Sequence, residues 1–241
     1  MTENTLFLVR HGENRANLTL EFSSRRVDYS LTPKGVLQAQ QTAEYFAGLQ
    51  AGGRVFHAIY SSPLKRAAET AGYIAAALGL PVQILDQLRE VDVGDLELAP
   101  PSREAWDYHN SLIRGWLDGQ PEARFPGGDN FHDLVERALD AYRLALHGRQ
   151  GENIILVAHG GIFAFTLYKL VAGLQPDWFL GKHSHNCSVS EIEAQLVDGR
   201  PVGRLKRWAD HAHLSGEAAN FAAGLPDART FQDQATSEKQ D

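Results

Sequence analysis

The sequence predicts an α/β fold with a mostly parallel central sheet, and three observations carry that expectation. Apolar runs at 6–9, 55–60, 82–85, 154–158 and 187–192 alternate with longer stretches of helical period, the rhythm of strands joined by crossover helices. Two of the runs, Leu6-Phe7-Leu8-Val9 and Ile154-Ile155-Leu156-Val157, are unbroken, as expected of strands covered on both faces. Both then run into a histidine followed by glycine, His11-Gly12 and, after Ala158, His159-Gly160-Gly161. Right-handed crossovers bring such strand ends to one edge of the sheet.

In chain order, the first strand ends in Arg10-His11. A helix starts at Thr32-Pro33, a hydroxyl N-cap before a proline suited to the first helical position, and continues with Val36, Ala39, Ala43, Phe46 and Ala47 on one face. The second strand, 55–60, leads to a helix expected to begin in the same way at Ser62-Pro63, with Ala67, Ala71, Ile74, Ala75 and Leu78 at helical spacing and Gly79 and Pro81 as its stop. The stretch 100–128 mixes helix-like residues, Glu104 to Trp116, with breakers at Gly119, Pro121, Pro126, Gly127 and Gly128. It reads as a helical excursion and loop that overhangs a site. Asp129 is the expected cap of a helix over 130–147. From about 217 to 241 the chain turns polar and loses periodicity, which predicts a loosely ordered tail. The expected organisation is one domain over 1–216 with 100–128 as its cap.

Composition narrows the function. The 241 residues, 43% of them hydrophobic, suffice for a substantial core. A single cysteine, Cys187, excludes an internal disulfide framework and suits a reducing compartment. The first residues lack the features of a signal peptide and no stretch is long and apolar enough to span a bilayer, so the expected location is cytoplasmic and no membrane partner is expected. A net charge of -7 speaks against broad nucleic-acid binding. A local cluster of cations can still focus potential on a small anion inside an acidic protein.

Such a cluster is discernible. At the mouth of a sheet an imidazole can attack as a nucleophile, an adjacent guanidinium can fork onto a dianion, and glycine lets backbone come close to a ligand; Arg10-His11-Gly12 has all three. Alone, the tripeptide reads equally well as a surface turn. Asn17 adds an amide donor and Ser23 a hydroxyl. Arg66 falls about one turn inside the helix after Ser62-Pro63, whose N-terminus favours anions, although an isolated arginine there would read as solvated. In "LREVDVGDLE", Glu90 follows a strand and loop, and a carboxyl partly shielded from water can give a proton to a departing oxygen. Asp92, Asp95 and Glu97 compete for that role, and chemistry alone does not choose among the four. A protonated His159 would be a further cation against a phosphoryl group. His183-Ser184-His185 and His211-Ala212-His213 each put two imidazoles on one face if extended, which is the metal-dependent alternative, but no matching carboxylate or cysteine spacing accompanies them.

Taken in order, "LVRHGEN" with Asn17, "FSS" at 22–24, "LTPKG" at 31–35, "SSPLKRAAETA" at 61–71, "LREVDVGDLE" at 88–97, "PGGD" at 126–129, "ILVAHGG" at 155–161 and "HNCSVSEIE" at 185–193 resemble the histidine phosphatase superfamily, the phosphoglycerate mutase-like family. The resemblance implies a three-layer α/β/α sandwich and metal-free chemistry without a cofactor. It implies His11 as the nucleophile that becomes phosphohistidine, and Arg10, Arg66 and His159, with Gly160, as the phosphate pocket. Asn17 and Ser23 then line that pocket, and Glu90 is the proton donor. The partner implied is a small phosphorylated substrate, and a homodimer is compatible with it. "REVDVGDLE" and the compact run to "FPGGD" resemble the phosphatase branch more than the glycolytic mutases, which carry an "ER-x-YG" pattern and a longer lysine-bearing insertion. Mutase action and a non-catalytic phospho-ligand binder are the alternatives. Leu98 stands where many phosphatase members have glycine, so the loop there must take another path. Arg25 and Arg26 read as a solvated basic pair, with contact to a second substrate anion as the sharper alternative.

Overall fold

The computed structural model describes residues 3–221; the tail expected at 217–241 lies outside them from residue 222 onward. Six strands, β1 (Asn4–Arg10), β2 (Phe56–Ser61), β3 (Val82–Ile84), β4 (Asn153–Ala158), β5 (Val189–Val197) and β6 (Arg200–Asp210), form one sheet in the order β3-β2-β4-β1-β5-β6. The first four in that order are parallel, β5 pairs antiparallel with β1, and β6 antiparallel with β5. Six helices accompany them: α1 (Arg15–Thr19), α2 (Pro33–Ala51), α3 (Lys65–Leu78), α4 (Arg103–Leu117), α5 (Phe131–Leu146) and α6 (Gly160–Leu170).

Period-two alternation of the strands divides the core into two layers. Leu6, Leu8, Tyr60, Ile154 and Leu156 pack with Leu134, Ala138 and Ala141 of α5 and Ile162 and Leu167 of α6. Phe7, Val9, Ile59, Ile155 and Val157 face the other way, onto Ala43 and Phe46 of α2 and Ala67, Ala71 and Ile74 of α3. Helices on both faces make the three-layer sandwich, and they explain why β1 and β4 read as continuous apolar runs. β1 and β4 are neighbours in parallel register, Val9 beside Val157 and Arg10 beside Ala158. The two histidines that follow them therefore emerge side by side.

Local signals hold in some places and shift in others. Thr32 caps α2 by accepting from Gly35 N at 3.0 Å, with Pro33 at the start. The expected start of the next helix at Ser62-Pro63 is corrected: α3 begins at Lys65 with Leu64 before it and no side-chain cap. The Ser62 hydroxyl pairs with His159 at 2.8 Å and also accepts from Leu64 N at 3.3 Å, and Arg66 occupies the second position of α3 rather than a place one turn in. Asn130, not Asp129, caps α5 through a reciprocal box with Asp133, while Asp129 pairs with Arg137 at 2.7 Å. β6 has no counterpart among the expected strands. Its residues alternate between exposed and half-buried at an edge, so no apolar run marks it; the Asp198-Gly199 turn, both residues with positive φ, was its sequence signal. Between Glu217 and Phe221 the chain forms a short 3-10 turn, Gly216–Ala219, whose Ala218 is buried with Ala39, Cys187 and Leu214. No helix among the described residues is long and apolar enough to cross a membrane.

Candidate active site

At the carboxyl edge of β1, β4 and β2 the structure opens into a cavity of about 330 Å³. Seven of the eight expected site residues line it: Arg10, His11, Asn17, Ser23, Arg66, Glu90 and Gly160. The eighth, His159, lies behind the wall, fully buried, with its ring centroid 5.1 Å from that of His11.

The wiring of His11 sets its chemistry. Its Nδ1 lies 2.8 Å from the carbonyl of Gly12, which fixes the proton on Nδ1. Nε2 then carries the lone pair, and it accepts from Arg66 Nε at 3.1 Å. Burial, and then the charges of Arg66 and Arg10, hold the imidazole well below its usual pKa of 6.5, so at neutral pH the ring is uncharged. Burial also lowers the Arg66 guanidinium, to about 10, against the supporting charges of Glu90 and Asp28; it remains a cation at neutral pH. Burial lowers Arg10 in the same way, with Glu90 opposing. Arg10 donates from Nη1 to the carbonyl of Ser184, and its buried Nε has no partner among the described residues.

Two of the expected phosphate-binding residues have other partners in the structure. The Ser23 hydroxyl donates to the carbonyl of Val27 at 2.5 Å, and it accepts from Arg66 Nη1 at 3.0 Å while Ser23 O accepts from Nη2 at 2.6 Å. Its proton is committed, so Ser23 orients Arg66 rather than offering a donor to phosphate. A cationic His159 facing the phosphoryl group is also not what the free site contains. Burial, reinforced by Arg66, holds it well below 6.5 and therefore neutral. Its Nε2 pairs with Ser62 Oγ at 2.8 Å, and Nδ1 is buried without a partner among the described residues.

Asn17 accepts through Oδ1 from Asn14 N at 3.1 Å and from Asn186 Nδ2 at 3.2 Å, which leaves its Nδ2 as a donor. Of the four acids in "LREVDVGDLE", Glu90 alone lines the cavity. Its carboxylate accepts from Val91 N at 2.9 Å, Gly161 N at 3.0 Å and Ile162 N at 2.8 Å, at the amino end of α6. A side chain at Gly161 would place its Cβ 2.6 Å from Glu90 Oε1, so this approach requires glycine. Asp92 pairs with Arg25 at 2.9 Å, Asp95 is exposed, and Glu97 is buried beneath the backbone N–H groups of Ser24, Arg25, Arg26 and Val27. Glu97 thus holds the loop that carries Ser23. Arg25 is engaged with Asp92, and neither it nor Arg26 lines the cavity. At Leu98, the last residue of a 3-10 turn over Gly94–Leu98, φ is not positive; the left-handed position falls on Gly94.

Sequence reasoning missed several residues. Asn186 donates to His11 O at 3.0 Å, and Arg137 fastens the Glu90 loop by donating to Arg89 O at 2.6 Å and Glu90 O at 3.2 Å. Trp106 and His109 of α4 form part of the cavity wall. The signal for Asn186 was its place in "HNCSVSEIE"; Arg137 gave none, because the carbonyls it serves are backbone. Of the paired histidines, His213 lies 3.0 Å from Thr42 Oγ1 and His185 stacks on Phe221 at 3.9 Å. No group of three metal-ligating side chains is found among the described residues.

Two aligned strand ends thus bring a buried imidazole and two guanidiniums together at one edge of an α/β sheet. The chain belongs to the histidine phosphatase superfamily (branch 1), whose family model matches residues 6–210. A relative from Salmonella choleraesuis, named probable phosphoglycerate mutase GpmB, is 34% identical over 218 residues, covering 88% of this chain and 96% of that protein. Among solved structures, YhfR of Bacillus stearothermophilus superposes with a TM-score of 0.68 at 25% identity, covering 87% of this chain and 98% of that one. A phosphoserine phosphatase of Entamoeba histolytica, in complex with 3-phosphoglyceric acid, has a TM-score of 0.69 at 23% identity, covering 88% and 100%.

Proposed function

We propose that the chain is a phosphomonoester hydrolase that works through a phosphohistidine on His11 and acts on a small phosphorylated metabolite. The observation that carries this reading is the tautomer of His11: Nδ1–H tied to Gly12 O, and the Nε2 lone pair turned to Arg66 in a cavity that Arg10 also lines. When a phosphate dianion enters, its oxygens take over the guanidinium donors and Nε2 is left facing phosphorus. Glu90 takes up a proton from solvent as the substrate binds; the Nε2–P bond then forms as the P–O bond to the leaving group breaks, and Glu90 passes that proton to the departing oxygen. Water, giving its proton back to Glu90, then attacks phosphorus as the N–P bond breaks, releasing inorganic phosphate. Uncatalysed phosphate-monoester hydrolysis is slow enough that enzymes supply up to about 10²¹-fold. The fixed charges of Arg10 and Arg66 are the natural chief contributors. These side chains supply the positive charge themselves, so turnover is expected to survive EDTA.

One observation favours a second reading: the 34% identical relative is named a probable phosphoglycerate mutase. The two readings separate on substrate. Release of inorganic phosphate from p-nitrophenyl phosphate without isomerisation of 3-phosphoglycerate supports the hydrolase. Isomerisation faster than phosphate release would overturn it in favour of the mutase, and no reaction on either would leave a phospho-ligand binder. In Glu90→Gln, hydrolysis of alkyl phosphates should fall about 10²-fold or more, with a smaller loss on p-nitrophenyl phosphate, whose leaving group needs protonation less. Equal losses would remove Glu90 from the acid role.

A further inference from the structure

The cavity is lined by two kinds of side chain: Arg10, Arg66 and His11, and an aromatic set of Phe22, Trp106, His109, Phe165 and Phe179. Phe22 and Trp106 have ring centroids 4.4 Å apart, and His109 lies 5.4 Å from Phe22 and 5.1 Å from Trp106. Trp106 Nε1 is already spent on Leu20 O at 2.9 Å, so its ring takes part as an apolar surface. His109 is only 5% exposed. Its Nδ1 lies 3.0 Å from Asn110 Oδ1, which requires the proton on Nδ1 and leaves Nε2 an acceptor with no partner among the described residues.

The remaining charges in the lining argue against a second anion. Beyond Arg10 and Arg66, the one lysine or arginine among the lining side chains is Lys182, exposed and with Nζ 5.2 Å from the centre of the Trp178 ring. Glu21 lines the cavity too and would repel a carboxylate.

We propose that the group esterified to the phosphate is an apolar, ring-bearing alcohol carrying a hydroxyl or amine that donates to His109 Nε2. This rests on the phosphatase reading of the same cavity. The ring is recognised by burial against Phe22 and Trp106, and His109 selects among ring substituents.

Kinetic and binding arms keep the two ideas apart. Ethyl phosphate, 2-phenylethyl phosphate, the three hydroxyphenylethyl phosphates and 3-phosphoglycerate are compared by kcat/KM, all with alkoxide leaving groups. Ethylphosphonate and 2-phenylethylphosphonate, which cannot be turned over, are compared by calorimetric Kd. The expected result is a preference of about tenfold or more for phenylethyl over ethyl in both series, with one hydroxyl isomer better still. Trp106→Leu should cut the phenylethyl-to-ethyl ratio to about threefold, and Trp106→Phe should restore most of it; because each ratio is taken within one variant, general damage cancels. His109→Phe should keep the ring preference and erase the advantage of the hydroxyl isomer. Equal kcat/KM for ethyl and phenylethyl phosphate, or 3-phosphoglycerate as the best ester, overturns the proposal while leaving the phosphatase reading in place. Ring-selective phosphonate binding without turnover of any ester would sink the phosphatase reading and leave the ring site standing. Failure of the aryl phosphonate to bind more tightly than the alkyl one counts against the ring site whatever the turnover.

Discussion

His11 and His159 end neighbouring parallel strands in nearly the same sequence setting, yet they are wired in opposite senses. His11 gives Nδ1–H to a backbone carbonyl and exposes Nε2 to the cavity; His159 ties Nε2 to the Ser62 hydroxyl and leaves Nδ1 buried behind the wall. A shared cadence at the sheet edge determines where an imidazole stands. What it does is decided by the group on its other nitrogen.

The sharpest way to break the comparison is to delete each ring. His11→Ala should reduce kcat by about 10⁴-fold or more with the fold retained, as expected when a covalent nucleophile is removed. His159→Ala, which removes support rather than the attacking atom, should cost about 10²-fold and still form a phosphoenzyme. Steady-state and quenched-flow kinetics check both; equal losses, or a larger one for His159→Ala, would reverse the assignment. Ser62→Ala is a finer cut. It strips the partner from His159 Nε2 and should cost roughly 1–2 kcal/mol of stability by denaturant unfolding, with about a threefold fall in kcat. If Ser62→Ala were as damaging as His159→Ala, the hydroxyl would have to touch substrate itself.

A test by pH alone concerns a third buried imidazole, His109, which burial pushes down to about 4. Unfolded, it takes up a proton near pH 6.5; folded, only near 4, so between these values the unfolded state binds more protons and stability falls as pH drops. From His109 alone the loss between pH 7 and pH 5 is roughly 2 kcal/mol, and His11 and His159, shifted the same way, steepen it. Thermal unfolding across that range should show the decline, and His109→Phe should flatten part of it. An unchanged slope would place a solvated imidazole at position 109.

Much of this arrangement was legible because it is written in contiguous residues. The apolar runs of β1 and β4 announce buried parallel strands, and Thr32-Pro33 announces α2, since the forces that decide them act within a few positions. The residues that converge on His11 follow from the same edge-of-sheet logic. What stayed hidden depends on contacts across the fold. Ser62 reads as a cap but pairs with His159, Ser23 reads as a phosphate donor but spends its proton on Val27 O, and burial keeps His159 from being the expected cation. Chemistry alone could not separate Glu90 from Asp92, Asp95 and Glu97; the family resemblance singled it out, and the contacts with Gly161 and Ile162 of α6 lie too far along the chain to be read from its own neighbours. β6 escaped because an edge strand with one half-buried face carries no apolar run.

The central claim is that His11 Nε2 transiently carries phosphorus. Rapid-quench labelling with a slowly hydrolysed substrate, followed by peptide mapping and ³¹P NMR at alkaline pH, tests it directly. An acid-labile phosphoryl group on Nε2 of His11, present in His159→Ala and absent from His11→Ala, is the predicted result; phosphate on His159, on Nδ1 of His11, or on no histidine during turnover would contradict it.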